Sequence, residues 1–489
     1  MTVASPQLRF WIDMAGECVR RDHTDKIISP GDQRGPFLTA RALGMALAVL
    51  HDANAIAVGR APLVNLPVPA GLAGSHPIVA AAAACHEVLL RRYPGQQRFL
   101  APAWANWTEL YPTVGTQVAE AAGRALGQSM HQFGANDGAL GADMTYNDGP
   151  ANYRHRRPPN QPTQDYAGAV WGQAPELVVP RPPFAQPPGR VSATTVKPTD
   201  HYKADFAKVA LKGIEHRKPG VAGHRTLEEE IIGIFWGYDG PQDLGTPPRL
   251  YLQVVLEVLD AIEARMPGKL NVGDELAIIA GVGIAMADAG IHAWHYKYSE
   301  DHMMWRPVIG IPNADPKNGK PQPGWLPLGR PDTNGTETAL TPDFPAYPSG
   351  HATFGAAAFQ LLRLVLVEKG LAKFDAEGVD NVGFDFVSDE YDGRNEDPRT
   401  RLPRDLITRR HASLWQAIVE NSVSRVYLGV HWEFDGITVK GPDGKAAFGV
   451  PVTPKELGDI GGVWLGAQIA NVLALKLGVS PTTINKSCM

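Results

Sequence analysis

The residues best suited to chemistry in this chain stand together in Phe344-Pro345-Ala346-Tyr347-Pro348-Ser349-Gly350-His351. Two prolines hold the approach extended, because the residue before a proline is pushed out of the α region. Ser349 stands where a helix N-cap is expected, and Gly350 lets backbone approach a ligand closely. The run from Ala352 to Val367 has a helical pattern, so His351 falls in its first turn. A helix N-terminus offers unpaired N–H groups and a partial positive charge, which suits an oxyanion. His351 is then placed to give or take a proton at a bound anion. The plainer reading is a capped helix with a surface histidine.

Three further sites carry matching chemistry. Lys297 falls in the last turn of an apolar helix, and Arg306 follows in Trp305-Arg306-Pro307. Arg425 follows Ser424, His431 comes six residues later, and Asp435 four after that. Gly429 between them is placed as a left-handed helix C-cap, which turns the chain and re-aims His431. Taken singly, each cation reads more simply as a salt-bridging or solvated side chain. Together they supply three cations, a helix N-terminus and two histidines. Arginine offers a planar fork to an oxyanion and lysine a point charge. Such a set neutralises a multiply charged tetrahedral oxyanion while one histidine attacks or ligates it. The other histidine then serves as acid or base near working pH.

The order Lys297, Arg306-Pro307, Pro348-Ser349-Gly350-His351, Ser424-Arg425, His431, Asp435 resembles the superfamily of vanadium-dependent haloperoxidases and type 2 phosphatidic acid phosphatases. The stretch from Phe344 to Gly355 is most similar to the fungal vanadium chloroperoxidases, and the likeness includes Phe235 to Gly240, Gly245 to Arg249 and Asp288 to Ile291. It runs from about Thr226 to Asp435, and Leu89 to Thr199 lies outside it. The resemblance implies vanadate as cofactor, with phosphate able to take the same site. It implies His431 as the vanadium ligand, with Lys297, Arg306 and Arg425 compensating the oxygens and Ser349 and Gly350 adding hydrogen bonds. His351 would be the acid–base partner, and Asp239 and Asp435 would orient the cations and the ligating histidine. Phe344 holds the position near the halide, which points to the chloroperoxidase-like branch.

The implied activity is oxidation of bromide, with chloride as a further candidate, by hydrogen peroxide to hypohalous acid. A soluble acid phosphatase with a phosphohistidine intermediate is the alternative, since both anions are tetrahedral. A third reading is a helical anion-binding protein without turnover. One departure bears on this. The family pattern has six residues between lysine and arginine, and here Lys297 and Arg306 have eight. Two extra residues on an ideal helix rotate a side chain by about 200°. The context Trp294-His295-Tyr296-Lys297-Tyr298 keeps the lysine in register, which places the insertion in Glu300 to Met304.

The elements that must position these residues read as helices. Helical spacing is expected over Leu38–Ile56, Ile78–Arg92, Val114–Phe133, Tyr202–Ile214, Thr226–Trp236, Arg249–Arg265, Asp274–Tyr298, Ala352–Lys369, Asp405–Leu428 and Gly462–Leu477. Thr226 and Glu229 form a capping-box pattern. Period-2 alternation is scarce. The expected fold is all-α, two four-helix-bundle-like halves with long irregular connecting loops. The halves span 1–148 and 200–489, and the proline-rich 149–199 connects them or wraps over the fold as an ordered loop.

Composition narrows the partners. With 44% hydrophobic and 20% charged residues the chain is globular, and a net charge of −5 gives no basic footprint for nucleic acid. Three cysteines far apart define no disulfide framework or zinc cluster. Met1 to Arg21 shows no secretory pattern. The longest apolar runs, Ile78 to Ala84 and Leu276 to Ala287, are shorter than a bilayer span. No membrane is expected, and a soluble protein, cytoplasmic by default, is. Hydrogen peroxide, halide and a small organic substrate are the expected small-molecule partners. Oligomeric state stays open, a homodimer among the options.

Overall fold

In the computed structural model, residues 5–29, 31–141, 146–149, 153–190, 199–317 and 319–489 are described. The longest helices are α1 (Pro6–Asp22), α2 (Pro36–Ala57), α3 (Pro77–Arg92), α4 (Gln97–Leu110), α5 (Gln117–Phe133), α6 (Asp200–Lys212), α7 (Leu227–Phe235), α8 (Pro247–Arg265), α9 (Val272–Tyr298), α10 (Gly350–Glu368), α11 (Leu414–Tyr427) and α12 (Gly462–Lys476). The fold is all-α, as the helical spacing predicts. Thr226 and Glu229 form the expected capping box at the start of α7.

α9 is the central element. It packs against α2 of the first half and against α10 and α12 of the second, so one hydrophobic core runs through both. Small residues make the α2 crossing tight. A Cβ on Gly44 would meet the Gly283 carbonyl oxygen and the Ala287 Cβ, each at 2.7 Å. α10 is the hub of the second half, with α8, α9, α11 and α12 around it. A Cβ on Gly462 would lie 2.5 Å from the Ser349 carbonyl oxygen, so the start of α12 presses on the start of α10.

α9 and α10 are long and apolar enough, by length and composition, to cross a membrane, but the apolar window of each is 94% buried inside the protein. The apolar-run reading misses this because α9 continues past Ala287 through Asp288, which is buried.

The helix expected over Asp405–Leu428 is corrected. Leu406–His411 is strand β2, antiparallel to β1 (Phe384–Asp392), and the helix begins only at Leu414. Ser413 makes the break: its hydroxyl accepts the Gln416 N–H at 3.0 Å as an N-cap. β1 turns Phe384, Phe386, Ser388 and Glu390 inward, a period of two in which the last two of the four are polar.

Among its described residues, the proline-rich connection wraps the core as an ordered loop. The Asp288 carboxylate on α9 accepts the N–H groups of Leu177, Val178 and Val179 at 2.7, 3.0 and 2.8 Å. Residues 150–152 and 191–198 of that segment lie outside the described residues.

Candidate oxyanion site

Every site residue singled out from the sequence comes to one place, around a cavity of about 320 Å³. Asp239, Phe344, Gly350, His351, Arg425 and His431 line it directly. Lys297, Arg306, Ser349 and Asp435 are buried and contact or adjoin that lining.

His431 is aimed as the sequence suggests. Gly429 closes α11 with φ of 70°, and the chain turns back toward the cavity. The Asp435 carboxylate lies 3.0 Å from His431 Nδ1 and also accepts the Trp432 N–H at 2.9 Å. With Asp435 ionised, that carboxylate accepts the ring proton of Nδ1 in a hydrogen bond and leaves Nε2 with a lone pair. Arg306 Nη1 donates to this nitrogen at 3.2 Å. Burial, with Arg306 and Lys297 beside it, holds the imidazole well below its ordinary pKa. Asp435 is pushed up to about 8 by burial, against the pull of the Trp432 N–H, Lys297 and Arg306.

The cations are anchored by backbone and carboxylate partners. Arg306 donates through Nε to the Phe344 carbonyl at 2.8 Å and through Nη1 to the Val430 carbonyl at 2.7 Å. Among the described residues its buried Nη2 has no hydrogen-bond partner, and neither has Nε of Arg425. Arg425 forks onto Asp239, and Arg330 donates to the Asp239 carbonyl at 3.3 Å. Burial lowers Arg306 to about 9.

Lys297 stays in the group despite the longer spacing. α9 ends at Tyr298, and the Ser299 carbonyl takes the N–H groups of His302 and Met303 at 3.1 and 2.9 Å. The eight residues between Lys297 and Arg306 include that turn and the segment Glu300 to Met304, where the sequence reading puts the insertion. Nζ of Lys297 donates to the carbonyls of Pro345, Ala346 and Pro348 at 2.9, 3.2 and 2.5 Å. An ammonium has three donors. Lys297 therefore braces the turn before Ser349, with all three donors on backbone carbonyls. Burial and the neighbouring Arg306 push it well below an ordinary lysine pKa.

At the start of α10 the Ser349 hydroxyl faces the Ala352 N–H at 3.5 Å, and the Ser349 N–H donates to the Asp435 carbonyl at 2.7 Å. His351 Nε2 lies 2.7 Å from the Gly237 carbonyl, which assigns the proton to Nε2 and leaves Nδ1 as acceptor. Burial and Arg425 lower His351 to about 3. Phe344 faces Trp294 at 4.7 Å between ring centroids, with Arg306 and Lys297 5.0 and 5.1 Å from its ring.

The strands missing from the sequence reading hold Asp239 in place. Ser388 on β1 donates to the Phe235 carbonyl at 2.7 Å, and Glu390 accepts the Tyr238 N–H at 3.1 Å. Arg404 pairs with Glu390 at 2.7 Å, and Thr333 hydrogen-bonds the same carboxylate. The cavity lining also includes His23, Arg34, Gln164, Trp294, Arg330 and Asp343. Asp343 had a signal, an acidic residue next to Phe344 at an anion pocket. His23 had none, since it lies far from the motif in the first half.

No group of three or more His, Cys, Asp or Glu able to hold a bare metal ion occurs among the described residues. A metal carried as an oxyanion needs no such group. It needs one lone pair, surplus N–H donors and positive charge, and His431 Nε2, Arg306 Nη2, Arg425 Nε and the start of α10 fit vanadate on that ground.

Residues 277–440 match the family model described as the VCPO second helical-bundle domain. The chain is 28% identical over 563 residues to the vanadium chloroperoxidase of Curvularia inaequalis, across 97% of this chain and 90% of that one. The structure is similar to a bacterial vanadium-dependent iodoperoxidase, with a TM-score of 0.59, 19% identity and 95% of each chain covered. It is also similar to a holo bacterial vanadium-dependent chloroperoxidase, with a TM-score of 0.53, 13% identity and 93% and 92% of the two chains covered. Residues 277–440 are thus similar to the second helical-bundle domain of the vanadium chloroperoxidases, and the chain over nearly its whole length is similar to the Curvularia inaequalis enzyme.

Proposed function

We propose that the protein is a vanadate-dependent haloperoxidase that uses hydrogen peroxide to oxidise halide, bromide first and chloride as the harder substrate. The observation that carries this is His431. Its Nδ1 proton is fixed by Asp435, and its Nε2 lone pair sits among Arg306, Arg425 and Lys297. Vanadate, when bound, supplies Lewis-acid polarisation of peroxide.

The chain's own residues do the rest. Arg306 Nη2, Arg425 Nε and the Gly350 N–H hold the oxyanion's negative charge. His351 accepts or returns a proton at Nδ1, while Gly237 holds the ring by the opposite nitrogen. Phe344 and Trp294 form an apolar wall suited to a weakly hydrated halide.

The test is bromination of monochlorodimedone with added orthovanadate and peroxide. Vanadate-dependent turnover is expected, and its absence rejects the reading. The same donors suit phosphate, and His431 Nε2 is equally available to phosphorus. An acid phosphatase is therefore the competing reading. Hydrolysis of p-nitrophenyl phosphate by the vanadate-free protein, inhibited by vanadate, would favour it.

A further inference from the structure

Asp205 on α6 is fully buried and does not line the cavity, yet both of its oxygens hold the turn that carries Asp435. Oδ1 accepts the Glu433 N–H at 2.7 Å, and Oδ2 accepts the Phe434 N–H at 2.8 Å. These two groups open the single turn Glu433–Gly436. A carboxyl from another helix thus satisfies donors that a buried turn cannot leave unpaired. Burial and the Glu433 carboxylate beside it push Asp205 well above its ordinary pKa. Such a group is costly to bury, so the contacts of its two oxygens explain its place.

The rest of α6 grips the same segment. Lys208 pairs with the Glu433 carboxylate. Tyr202 and Phe206 lie against the Trp432 ring, at 5.3 and 6.1 Å between centroids. Just past the helix, a Cβ on Gly213 would lie 2.4 Å from Gly429 Cα. The chain is therefore held on both sides of His431, at Gly429 and from Trp432 to Phe434. Tyr202 also reaches the neighbourhood of Arg306. Its hydroxyl accepts from Trp305 Nε1 at 3.2 Å, and the Trp305 carbonyl accepts from Trp432 Nε1 at 2.8 Å.

The consequence falls on His431. Asp435 is the third residue of the turn, and its carboxylate meets both the Trp432 N–H and His431 Nδ1. Its carbonyl takes the Ser349 N–H at 2.7 Å, so the turn is tied to the start of α10 as well. A displacement at Glu433 and Phe434 passes to Asp435, and from there to the plane of the imidazole and the direction of Nε2.

We infer, resting on the reading of His431 as the residue that holds the oxyanion, that Asp205 is the positioning residue for its Nε2, acting through the turn Glu433–Gly436 and Asp435. It works on backbone alone and takes no part in the chemistry.

The experiment pairs Asp205→Asn with Asp288→Asn. Asp288 is an equally buried carboxyl that accepts three backbone N–H groups, those of the proline-rich connection. Each variant turns an acceptor oxygen into a donor facing backbone N–H groups, so both are expected to lose stability in urea. Only Asp205→Asn is expected to bind orthovanadate more weakly by calorimetry, by at least about fivefold, with Asp288→Asn within about twofold of the unmodified protein. A second readout needs no vanadate. In protein carrying isotope-labelled histidine, the Nδ1–H resonance of His431 is assigned by its loss in His431→Ala. It is expected to move in Asp205→Asn and to stay in place in Asp288→Asn. An unmoved resonance in Asp205→Asn, or a loss of affinity no greater than that of Asp288→Asn, overturns the proposal. If Asp205→Asn does not fold, Asp205→Glu, which displaces the same two acceptors by one methylene, is held to the same outcomes. If the unmodified protein binds no orthovanadate, the oxyanion reading falls, and the resonance alone decides whether Asp205 positions the ring.

Discussion

Arg425 meets Asp239 through both ends of its guanidinium, Nη1 to Oδ2 at 2.9 Å and Nη2 to Oδ1 at 2.8 Å. Burial pushes the Asp239 carboxyl up, and Arg425, with His351 behind it, reverses this and holds it below the usual range. The fork fixes the guanidinium plane and so the direction of Arg425 Nε. Removing one partner of a buried pair costs about 3–5 kcal/mol, because the other charge stays buried. Asp239→Asn should therefore lose about 3 kcal/mol in urea denaturation and bind orthovanadate at least tenfold more weakly by calorimetry. Unchanged affinity would show that the fork does not aim Arg425.

Lys297 separates charge from bracing. Its three donors all go to carbonyls before Ser349, so its methionine variant loses both the hydrogen bonds and the positive charge. A buried acceptor left unsatisfied costs about 1–3 kcal/mol. Lys297→Met should lower the melting temperature and the orthovanadate affinity together. Lys297→Gln keeps two donors without the charge, and should regain part of the stability while its affinity stays low. If Lys297→Gln restores affinity fully, the charge has no role at the anion.

Glu420 ties the β-hairpin to the loop that carries Asp239. It accepts from Trp236 Nε1 at 2.9 Å and from Arg409 at 2.9 and 2.8 Å, with His411 Nε2 at 3.2 Å. Burial raises its carboxyl, but His411 and Arg409 bring it down to about 2. A depressed folded-state pKa contributes stability above the unfolded value, and that stability is lost as pH falls toward 2. The shift is worth about 3 kcal/mol at neutral pH. Glu420→Gln should be less stable by about that amount at pH 6, with the gap closing between pH 4.5 and 2. Urea denaturation at several pH values checks it, and a gap independent of pH would assign the loss to packing.

What was legible in the sequence follows from how each signal is written along the chain. The helices announce themselves by apolar periodicity, and the α10 start by Pro348 and Ser349. Lys297, Arg306, Arg425 and His431 were legible as two short motifs, Lys297 with Arg306-Pro307 and Ser424-Arg425 with His431, and the family resemblance joined them into one set. The β-hairpin was not, since Ser388 and Glu390 occupy inward positions and erase the hydrophobic alternation. Those same polar residues bind the Phe235 carbonyl and the Tyr238 N–H, so the feature that hides the strand is the one that positions Asp239. His23 reaches the cavity only through tertiary packing, which no local pattern encodes.

Gly429 turns the chain between Arg425 and His431 and so sets the direction of His431. At φ of 70° a side chain is strained, and a Cβ there would meet the Gly213 carbonyl oxygen at 2.3 Å. Left-handed strain in a non-glycine residue costs about 1–3 kcal/mol, and the backbone contact adds to it. The Val430 carbonyl, which takes the Arg306 Nη1 donor, would shift with the turn. Gly429→Ala should lower the melting temperature by several degrees and weaken orthovanadate binding more than tenfold. Gly213→Ala tests the same crossing from the other side, since its Cβ would meet Gly429 Cα at 2.4 Å without a left-handed φ. If both weaken binding, the close backbone crossing sets the aim of His431. If only Gly429→Ala does, the left-handed turn sets it, and unchanged binding in both would mean that neither does.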